Sequence, residues 1–158
     1  MIFVTYGTQP HNFEYLGTVV NAIDSKYQVS VQIGESQNNI TRAATSVADY
    51  LDNFDQIVEQ SDIIITHGGV GSIMAGLKLG KKVIAVSRLA KYGEHVDDHQ
   101  LEVTTKLASQ GHIYHLERDQ DINNVLAEVL ATEFKPYASN TKNFVENIEK
   151  ILLGEYND

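Results

Sequence analysis

The fold is decided by one stretch of sequence, Ile63-Ile64-Ile65-Thr66-His67-Gly68-Gly69-Val70-Gly71-Ser72. Residues 63–66 form a short, mostly apolar and β-branched run, which is typical of a strand buried on both faces of a parallel sheet. The glycines predict a turn over residues 68–71. Residues 72–79 are expected to form a helix that ends at Gly80, a residue type favoured just beyond helix C-termini. The stretch therefore has the strand–turn–helix order of an α/β protein.

The same alternation of strands and helices extends over the rest of the chain. Apolar, β-branched runs predict further strands at residues 2–6, 29–33, 47–50, 83–86 and 113–114. Helices are predicted at residues 12–24, 54–60, 100–110, 121–132 and 141–153, and loops at residues 35–46 and 87–99. We therefore expect an α/β fold with a Rossmann-like, doubly wound parallel sheet, built as a single domain over residues 1–158.

Composition and charge argue against several classes of protein. The net charge of −9 disfavours a general nucleic-acid binder or a basic membrane-surface protein. The chain has no cysteine, so neither a disulfide nor a thiolate metal site is available. No apolar run approaches the roughly 20 residues that a membrane-spanning helix needs. We expect a cytoplasmic protein that makes contact with a membrane only through a partner.

The glycine turn has the composition of a phosphate-binding loop. Gly68, Gly69 and Gly71 let backbone N–H groups approach phosphate oxygens without a Cβ in the way, and the helix dipole favours an anion. Ser72 stands where an N-cap residue is expected and can cap the helix or bind a phosphate, while His67 can donate an N–H. On spacing alone, a tight turn whose glycines serve only packing remains the alternative.

Two other nucleotide-binding motifs do not match this turn. A P-loop needs Gly-Lys-Ser/Thr, and a dinucleotide-binding turn is followed by an acidic residue that binds the ribose. Residues 67–72 fit neither pattern. ATP hydrolysis and NAD chemistry are therefore disfavoured.

A second polar cluster, Arg88-Leu89-Ala90-Lys91-Tyr92-Gly93-Glu94-His95-Val96-Asp97-Asp98-His99-Gln100, lies in the predicted loop 87–99 and at the start of the next helix. His95 and His99 are four residues apart, which suggests a metal site, but zinc proteases need His-Glu-x-x-His and Glu94 precedes the first histidine. A solvated loop is another interpretation. Recognition of sugar hydroxyls fits better, since such groups offer fixed donors and acceptors. We expect sugar or ribose contacts from Glu94, His95, Asp98, His99 and Gln100, and no metal.

A third candidate loop, Gly7-Thr8, follows the first predicted strand. Ligands of doubly wound sheets bind beyond the carboxyl ends of the strands. Loops 7–12, 67–72 and 87–100 are therefore expected to share one rim, which adds Gly7 and Thr8 to the phosphate site. His11, His112 and His115 have no convergent partners in the sequence pattern and are interpreted as surface or packing residues.

Taken together, these residues resemble a known family. Phe3-Val4-Thr5-Tyr6-Gly7-Thr8, Thr66-His67-Gly68-Gly69-Val70-Gly71-Ser72 and His99-Gln100 are similar to the donor-binding C-terminal half of family-28 GT-B glycosyltransferases. The string from Arg88 to Gln100 resembles one subgroup, the small (PssE-type) subunit of two-part bacterial exopolysaccharide and capsule glycosyltransferases. It is also similar to the soluble subunit of the eukaryotic two-part dolichol-linked GlcNAc transferase.

The resemblance implies one half of a GT-B fold that binds a UDP-sugar donor and needs no further cofactor. The loop from His67 to Ser72 would hold the diphosphate, and His99 and Gln100 would contact ribose or sugar hydroxyls. The acceptor would be a polyprenyl-diphosphate-linked sugar carried by a membrane-anchored, acceptor-binding subunit. That partner would recruit the chain to the inner face of the cell membrane.

One position departs from the family pattern. Many relatives carry a ribose-binding glutamate in the helix after the glycine turn, where this sequence has Ala75 followed by Gly76. Glu94 or Gln100 is left to supply that contact. The catalytic residue is unknown, since an inverting transfer needs a general base and the sequence offers no base with an orienting partner. The resemblance assigns the base to the partner, so the chain alone is expected to be inactive. A non-catalytic activating subunit and a free-standing enzyme acting on another phosphorylated metabolite, such as an epimerase, are the alternatives.

Overall fold

Strands and helices alternate along the chain in a computed structural model that describes residues 1–8, 12–37, 39–43, 45–96 and 98–138. The strands are β1 (Ile2–Thr5), β2 (Val29–Gln32), β3 (Thr45–Ala48), β4 (Ile63–Thr66), β5 (Lys82–Ala85) and β6 (Tyr114–His115). The helices are α1 (Glu14–Ala22), α2 (Phe54–Gln60), α3 (Val70–Lys78), α4 (His99–Ser109) and α5 (Ile122–Ala131). A short 3-10 turn covers Ala90–Tyr92.

The strands form one parallel sheet in the order β3-β2-β1-β4-β5-β6. The chain runs outward from β1 to β3, crosses back to β4 beside β1, and then runs outward in the other direction. The order therefore reverses between β1 and β4, and at such a switch point the loops that follow the two strands diverge and leave a crevice. The predicted Rossmann-like, doubly wound sheet is confirmed.

Helices cover both faces of the sheet, because successive side chains of each strand point to opposite sides. On one face, Val4 and Ile65 pack with residues of α1 and α5, such as Leu16 and Leu126. On the other face, Phe3 and Ile64 lie in the cluster that holds Ile73 of α3. All four residues of β1 and all four of β4 are buried, as a central parallel strand requires.

The elements differ from the predictions mainly at their ends. The third strand occupies Thr45–Ala48 rather than residues 47–50, so it begins inside the predicted loop 35–46. It is an edge strand with no buried residue, so its sequence lacks the apolar run by which buried strands are recognised. Its register is set by pairing with β2, where Val47 lies opposite Val31. The remaining strands and helices lie within about two residues of their predicted ranges, a common uncertainty at element ends.

Three features of the sequence fall wholly or partly outside the described residues. They are the predicted helix 141–153, His11 and Asp97 of the second polar cluster. Within the described part of the chain, no helix is both long enough and apolar enough to cross a membrane.

Candidate functional site

A cleft of about 670 Å³ opens at the carboxyl ends of the strands, beside the point where the strand order reverses. It is lined by every residue predicted to bind phosphate: Gly7, Thr8, His67, Gly68, Gly69, Gly71 and Ser72. Parallel pairing of β1 with β4 in matched register, Thr5 opposite Thr66, places the loops that follow the two strands side by side. The structure thus brings together two loops that lie about 60 residues apart in the sequence.

The first turn of α3 faces this cleft. The helix begins at Val70 and its N-cap is Gly69, which has no side chain to cap the helix. The first-turn N–H groups of an α-helix have no partner within the helix and attract anions. Ser72 is therefore the third helical residue, and its expected place as the N-cap was wrong. A Cβ added at Gly71 would meet no atom within 4 Å, so the approach to this turn is open.

The imidazole of His67 forms the floor of the cleft and fits between two glycines. A Cβ added at Gly7 would lie 2.4 Å from His67 Cε1, and one added at Gly69 would lie 2.3 Å from His67 Nε2. Both distances are shorter than any real carbon contact. The glycines at these two positions are therefore required by the packing of His67, while the glycine at position 71 is not.

His67 is uncharged at neutral pH. Burial of its ring, reinforced by the positive charge of Arg88, lowers the pKa of His67 to about 4. Its Nδ1 lies 3.4 Å from the carbonyl oxygen of Thr5, to which it can donate in the tautomer that carries the proton there. His67 can thus act on a ligand as a neutral polar group rather than as a cation.

Five further residues that line the cleft were not predicted from the sequence. They are Gln32, Tyr50, Leu51, Phe54 and, from α4, Val103. Tyr50 is 52% exposed although it is a large aromatic residue, and Gln32 is a polar residue buried at the end of β2. Gln32 Oε1 accepts a hydrogen bond from the Leu51 N–H at 3.2 Å, which ties the ends of β2 and β3 together. The signal available in the sequence was a polar residue, Gln32, near the end of a predicted strand.

His99 and Gln100 also line the cleft, at the start of α4. The oxygen Oε1 of Gln100 is buried and has no hydrogen-bond partner among the described residues. A buried acceptor of this kind is costly unless a donor reaches it. The side chain of His99 is 77% exposed, and its Nδ1 lies 3.5 Å from Glu102 Oε2.

Glu94, His95 and Asp98, the other three predicted sugar contacts, do not line the cleft. Glu94 is buried, accepts a hydrogen bond from the Leu89 N–H at 3.0 Å and is ion-paired with Arg118. Asp98 Oδ1 accepts from the Ala90 N–H at 2.9 Å. In this structure the two carboxylates shape the loop before α4, and their predicted role as ligands stays a prediction.

Arg118 holds the loop before α4 from outside the second polar cluster. Its guanidinium lies between two aromatic rings, 4.2 Å from the centroid of Tyr15 and 4.2 Å from that of Tyr92, while it pairs with Glu94. Such stacking suits the planar guanidinium. No sequence pattern pointed to this residue.

Arg118→Gln is expected to lower the free energy of unfolding by about 1–3 kcal/mol, because it breaks the ion pair with the buried Glu94 carboxylate. Urea denaturation measures the change. Lys26→Gln is a matched control, since Lys26 also lies over a ring, that of Tyr27, and 3.6 Å from Asp24, but in an exposed pair. Equal losses of unfolding free energy in the two variants would contradict a stabilising role of the Arg118–Glu94 ion pair.

His112 and His115, interpreted from the sequence as surface or packing residues, both make contacts within the protein. The ring of His112 packs edge-on against Tyr137, with centroids 5.4 Å apart. His115 Nε2 lies 3.2 Å from the Ser87 hydroxyl, which in turn lies 2.7 Å from that of Thr104. Among the described residues, no group of three or more His, Asp or Glu side chains is placed to hold a metal ion.

Comparison with known proteins identifies the domain. A family model described as the glycosyltransferase family 28 C-terminal domain matches residues 1–152. The chain belongs to this family. The cleft described above is therefore a feature of a family 28 glycosyltransferase domain.

Among curated proteins, this family 28 domain is similar to subunits of one named transferase. The human "UDP-N-acetylglucosamine transferase subunit ALG13" is 28% identical over 127 residues, which cover 72% of this chain and 11% of the human protein. The protein of the same name from Candida glabrata is 37% identical over 65 residues, which cover 40% of this chain and 31% of that protein. The matches thus span less than a third of the length of either relative.

Two solved structures illustrate the fold of the family 28 domain. Acinetobacter baumannii MurG superposes with a TM-score of 0.58 at 15% identity, over 82% of this chain and 40% of MurG. The solution structure of ALG13 superposes with a TM-score of 0.53 at 18% identity, over 96% of this chain and 94% of that one. At such identities the likeness describes the fold, which is the Rossmann-like half of a GT-B glycosyltransferase.

Proposed function

We propose that the chain is the donor-binding subunit of a heteromeric, inverting glycosyltransferase, and that its cleft binds a UDP-sugar. One observation carries the proposal. The first turn of α3 has no side-chain cap and opens into the cleft beside the Gly7–Thr8 loop. Backbone N–H groups at a helix N-terminus are a site for phosphate oxygens, and here they would hold the donor diphosphate.

The rest of the cleft has room and suitable chemistry for the remaining parts of a nucleotide sugar. Tyr50, Leu51 and Phe54 offer an apolar wall against which a base can lie. The buried Oε1 of Gln100 offers an acceptor for a ribose or sugar hydroxyl. Between the two residues proposed from the sequence to replace the missing glutamate at Ala75, Gln100 is favoured, because Glu94 is occupied by Arg118 and the Leu89 N–H.

The proposed reaction divides the work between two subunits. A hydroxyl oxygen of the acceptor forms a bond to the anomeric carbon of the sugar, the bond from that carbon to the phosphate oxygen breaks, and UDP leaves. The N–H groups of α3 stabilise the negative charge that develops on the diphosphate. The proton of the hydroxyl passes to a general base, which we assign to the partner.

The described part of the cleft supports this division, since no aspartate or glutamate lines it and His67, with its pKa of about 4, is a weak base. His99, whose Nδ1 lies near Glu102, resembles a base with an orienting partner, but both side chains are more than three-quarters exposed. Turnover of a UDP-sugar by the purified chain alone, lost on His99→Ala, would favour a free-standing enzyme. Absence of turnover without a partner is the expected result.

By its sequence resemblance, we propose that the partner is a membrane-anchored, acceptor-binding subunit and that the acceptor is a polyprenyl-diphosphate-linked sugar. The chain would then act at the inner face of the cell membrane, in exopolysaccharide or capsule biosynthesis, as a PssE-type small subunit. The similarity to ALG13, which is named as a subunit of a transferase, is consistent with a two-part enzyme. The alternative is a non-catalytic subunit that activates its partner without binding a donor.

Titration calorimetry with UDP tests the proposal. The double substitution Gly71→Ala with Ser72→Ala is expected to weaken UDP binding at least tenfold, a loss of about 1.4 kcal/mol, because a Cβ and a lost hydroxyl both fall at the open turn. Ser109→Ala, at the far end of α4 and exposed, is the control and should bind as the unaltered chain does. No heat with UDP or UDP-sugars, with or without the partner, would favour the non-catalytic subunit.

A second pair of variants tests the hydroxyl contact. Gln100→Ala is expected to weaken UDP binding by about 1 kcal/mol or more, because it removes a buried acceptor from the cleft. Gln110→Ala changes the same residue type at the opposite, exposed end of α4 and should have no effect. Equal affinities of the two variants for UDP would show that Gln100 does not contact the ligand.

A further inference from the structure

The cleft lacks the basic residues that a diphosphate site usually has. Its described lining contains no lysine and no arginine, and the chain carries a net charge of −9. His67 adds no charge at neutral pH. An anion with two phosphates gains most from a nearby positive charge when that charge is shielded from water. In this protein such a charge lies behind the lining of the cleft.

Arg88 is a buried cation that lies behind the floor of the cleft. Its side chain is 0% exposed, its Nη2 donates to the carbonyl oxygen of Tyr6 at 2.8 Å, and its guanidinium lies 5.4 Å from the ring centroid of Phe13. The residue follows β5, while Tyr6 follows β1, and β4 lies between these two strands. Arg88 therefore crosses behind the segment that follows β4, which is the His67–Gly69 turn.

We propose that Arg88 is a positioning residue that fixes the Gly7 turn and places a buried positive charge behind the phosphate part of the cleft. Through this charge the site would select nucleoside diphosphates over monophosphates and uncharged nucleosides. The inference rests on the proposed function, since it assigns a charge preference to the same donor site. Arg88 does not touch the ligand; it acts through the Tyr6 carbonyl and through its field.

The field of Arg88 reaches the lining of the cleft. Arg88 is the second cause, after burial, of the low pKa of His67, and His67 lines the cleft. Burial lowers the pKa of Arg88 itself while Glu94 raises it, but a guanidinium begins so high that it stays charged. Glu94 also forms an ion pair with Arg118, so its carboxylate interacts with the guanidinium groups of both Arg88 and Arg118.

A series of three ligands measures the charge preference. Affinities for UDP, UMP and uridine are determined by calorimetry for the unaltered chain, Arg88→Lys and Arg88→Met. Arg88→Met is expected to reduce the ratio of UDP to uridine affinity by about tenfold, because the charged diphosphate loses the attraction of a buried cation and the uncharged nucleoside does not. The loss of affinity for UMP should lie between the losses for UDP and for uridine. Arg88→Lys keeps the charge and should keep most of the ratio.

A role in fixing the Gly7 turn alone gives a different result. Because Gly7 lies in the proposed phosphate site, a distorted turn would lower the ratio as much in Arg88→Lys as in Arg88→Met. An equal loss of the ratio in the two variants therefore overturns the proposal, and so does an unchanged ratio in a folded Arg88→Met protein. If Arg88→Met does not fold, Arg88→Gln replaces it, and failure of both neutral variants to fold assigns Arg88 to stability and also overturns the proposal.

An independent measurement follows the His67 ring protons by NMR. In Arg88→Met the pKa of His67 is expected to rise toward its ordinary value, whereas an unaltered pKa would show that the charge does not reach the cleft and would overturn the proposal. Failure of the proposed function is recognised separately, since the unaltered chain would then bind none of the three ligands.

Discussion

Gly7→Ala is expected to lower the free energy of unfolding by about 2–5 kcal/mol. The backbone of Gly7 has φ +78°, a left-handed conformation that costs a residue with a Cβ about 1–2 kcal/mol. The new Cβ would also lie 2.4 Å from the His67 ring. That ring is confined by Gly69 on another side, so it has no room to move, and overpacking of this kind adds about 1–3 kcal/mol. Urea denaturation followed by circular dichroism measures the loss.

Gly71→Ala provides the matched control from the same glycine-rich site. Position 71 is helical and open, so alanine relieves the entropic cost of glycine in a helix, up to about 1 kcal/mol. The variant should be as stable as the unaltered chain or slightly more so, while its binding of UDP weakens. A comparable destabilisation by both substitutions would contradict the packing described for His67.

The second large effect is a loss of stability at acidic pH that depends on His67. The folded-state pKa of about 4 lies below the ordinary value of 6.5, so the unfolded chain binds the proton more readily. Stability is therefore fully present above pH 6.5 and is lost as the pH falls toward 4. The pKa difference corresponds to about 3 kcal/mol for this one residue. Denaturation curves between pH 7.5 and pH 4 measure the loss.

His67→Asn should flatten that pH dependence, because asparagine does not titrate. His99→Asn is the control, since the His99 side chain is 77% exposed in the folded protein and should leave the dependence unchanged. The same slope in the unaltered chain and in His67→Asn would show that other groups cause the acid sensitivity.

Much of the fold could be predicted from the sequence. The buried strands β1, β4 and β5 are visible as apolar runs, because a central parallel strand needs apolar side chains on both faces. The turns are recognisable by their glycines, because few other residues adopt the backbone conformation that those turns require. The rule that ligands bind beyond the carboxyl ends of the strands predicted correctly that the Gly7 and His67–Ser72 loops share one rim, while only His99 and Gln100 of the third predicted loop, 87–100, line the cleft.

Other features depend on contacts that the sequence does not display. The edge strand β3 is polar and half exposed, so only its pairing with β2 identifies it. The start of α3 at Val70 depends on a glycine N-cap, where the sequence pointed to Ser72. The apolar wall at Tyr50 belongs to the cleft only because β2 and β3 lie beside β1.

The sequence by itself determined the alternation of strands and helices, the glycine turn and the candidate phosphate loops, because these depend on local backbone preference and on the spacing of apolar residues. The tertiary structure alone decided which polar residues face the cleft. Glu94 and Asp98 accept hydrogen bonds from backbone N–H groups of their own loop, while Gln100 lines the cleft. It also placed Arg88 behind the floor, because a buried charge is settled by its partners across the sheet and not by its neighbours in the chain.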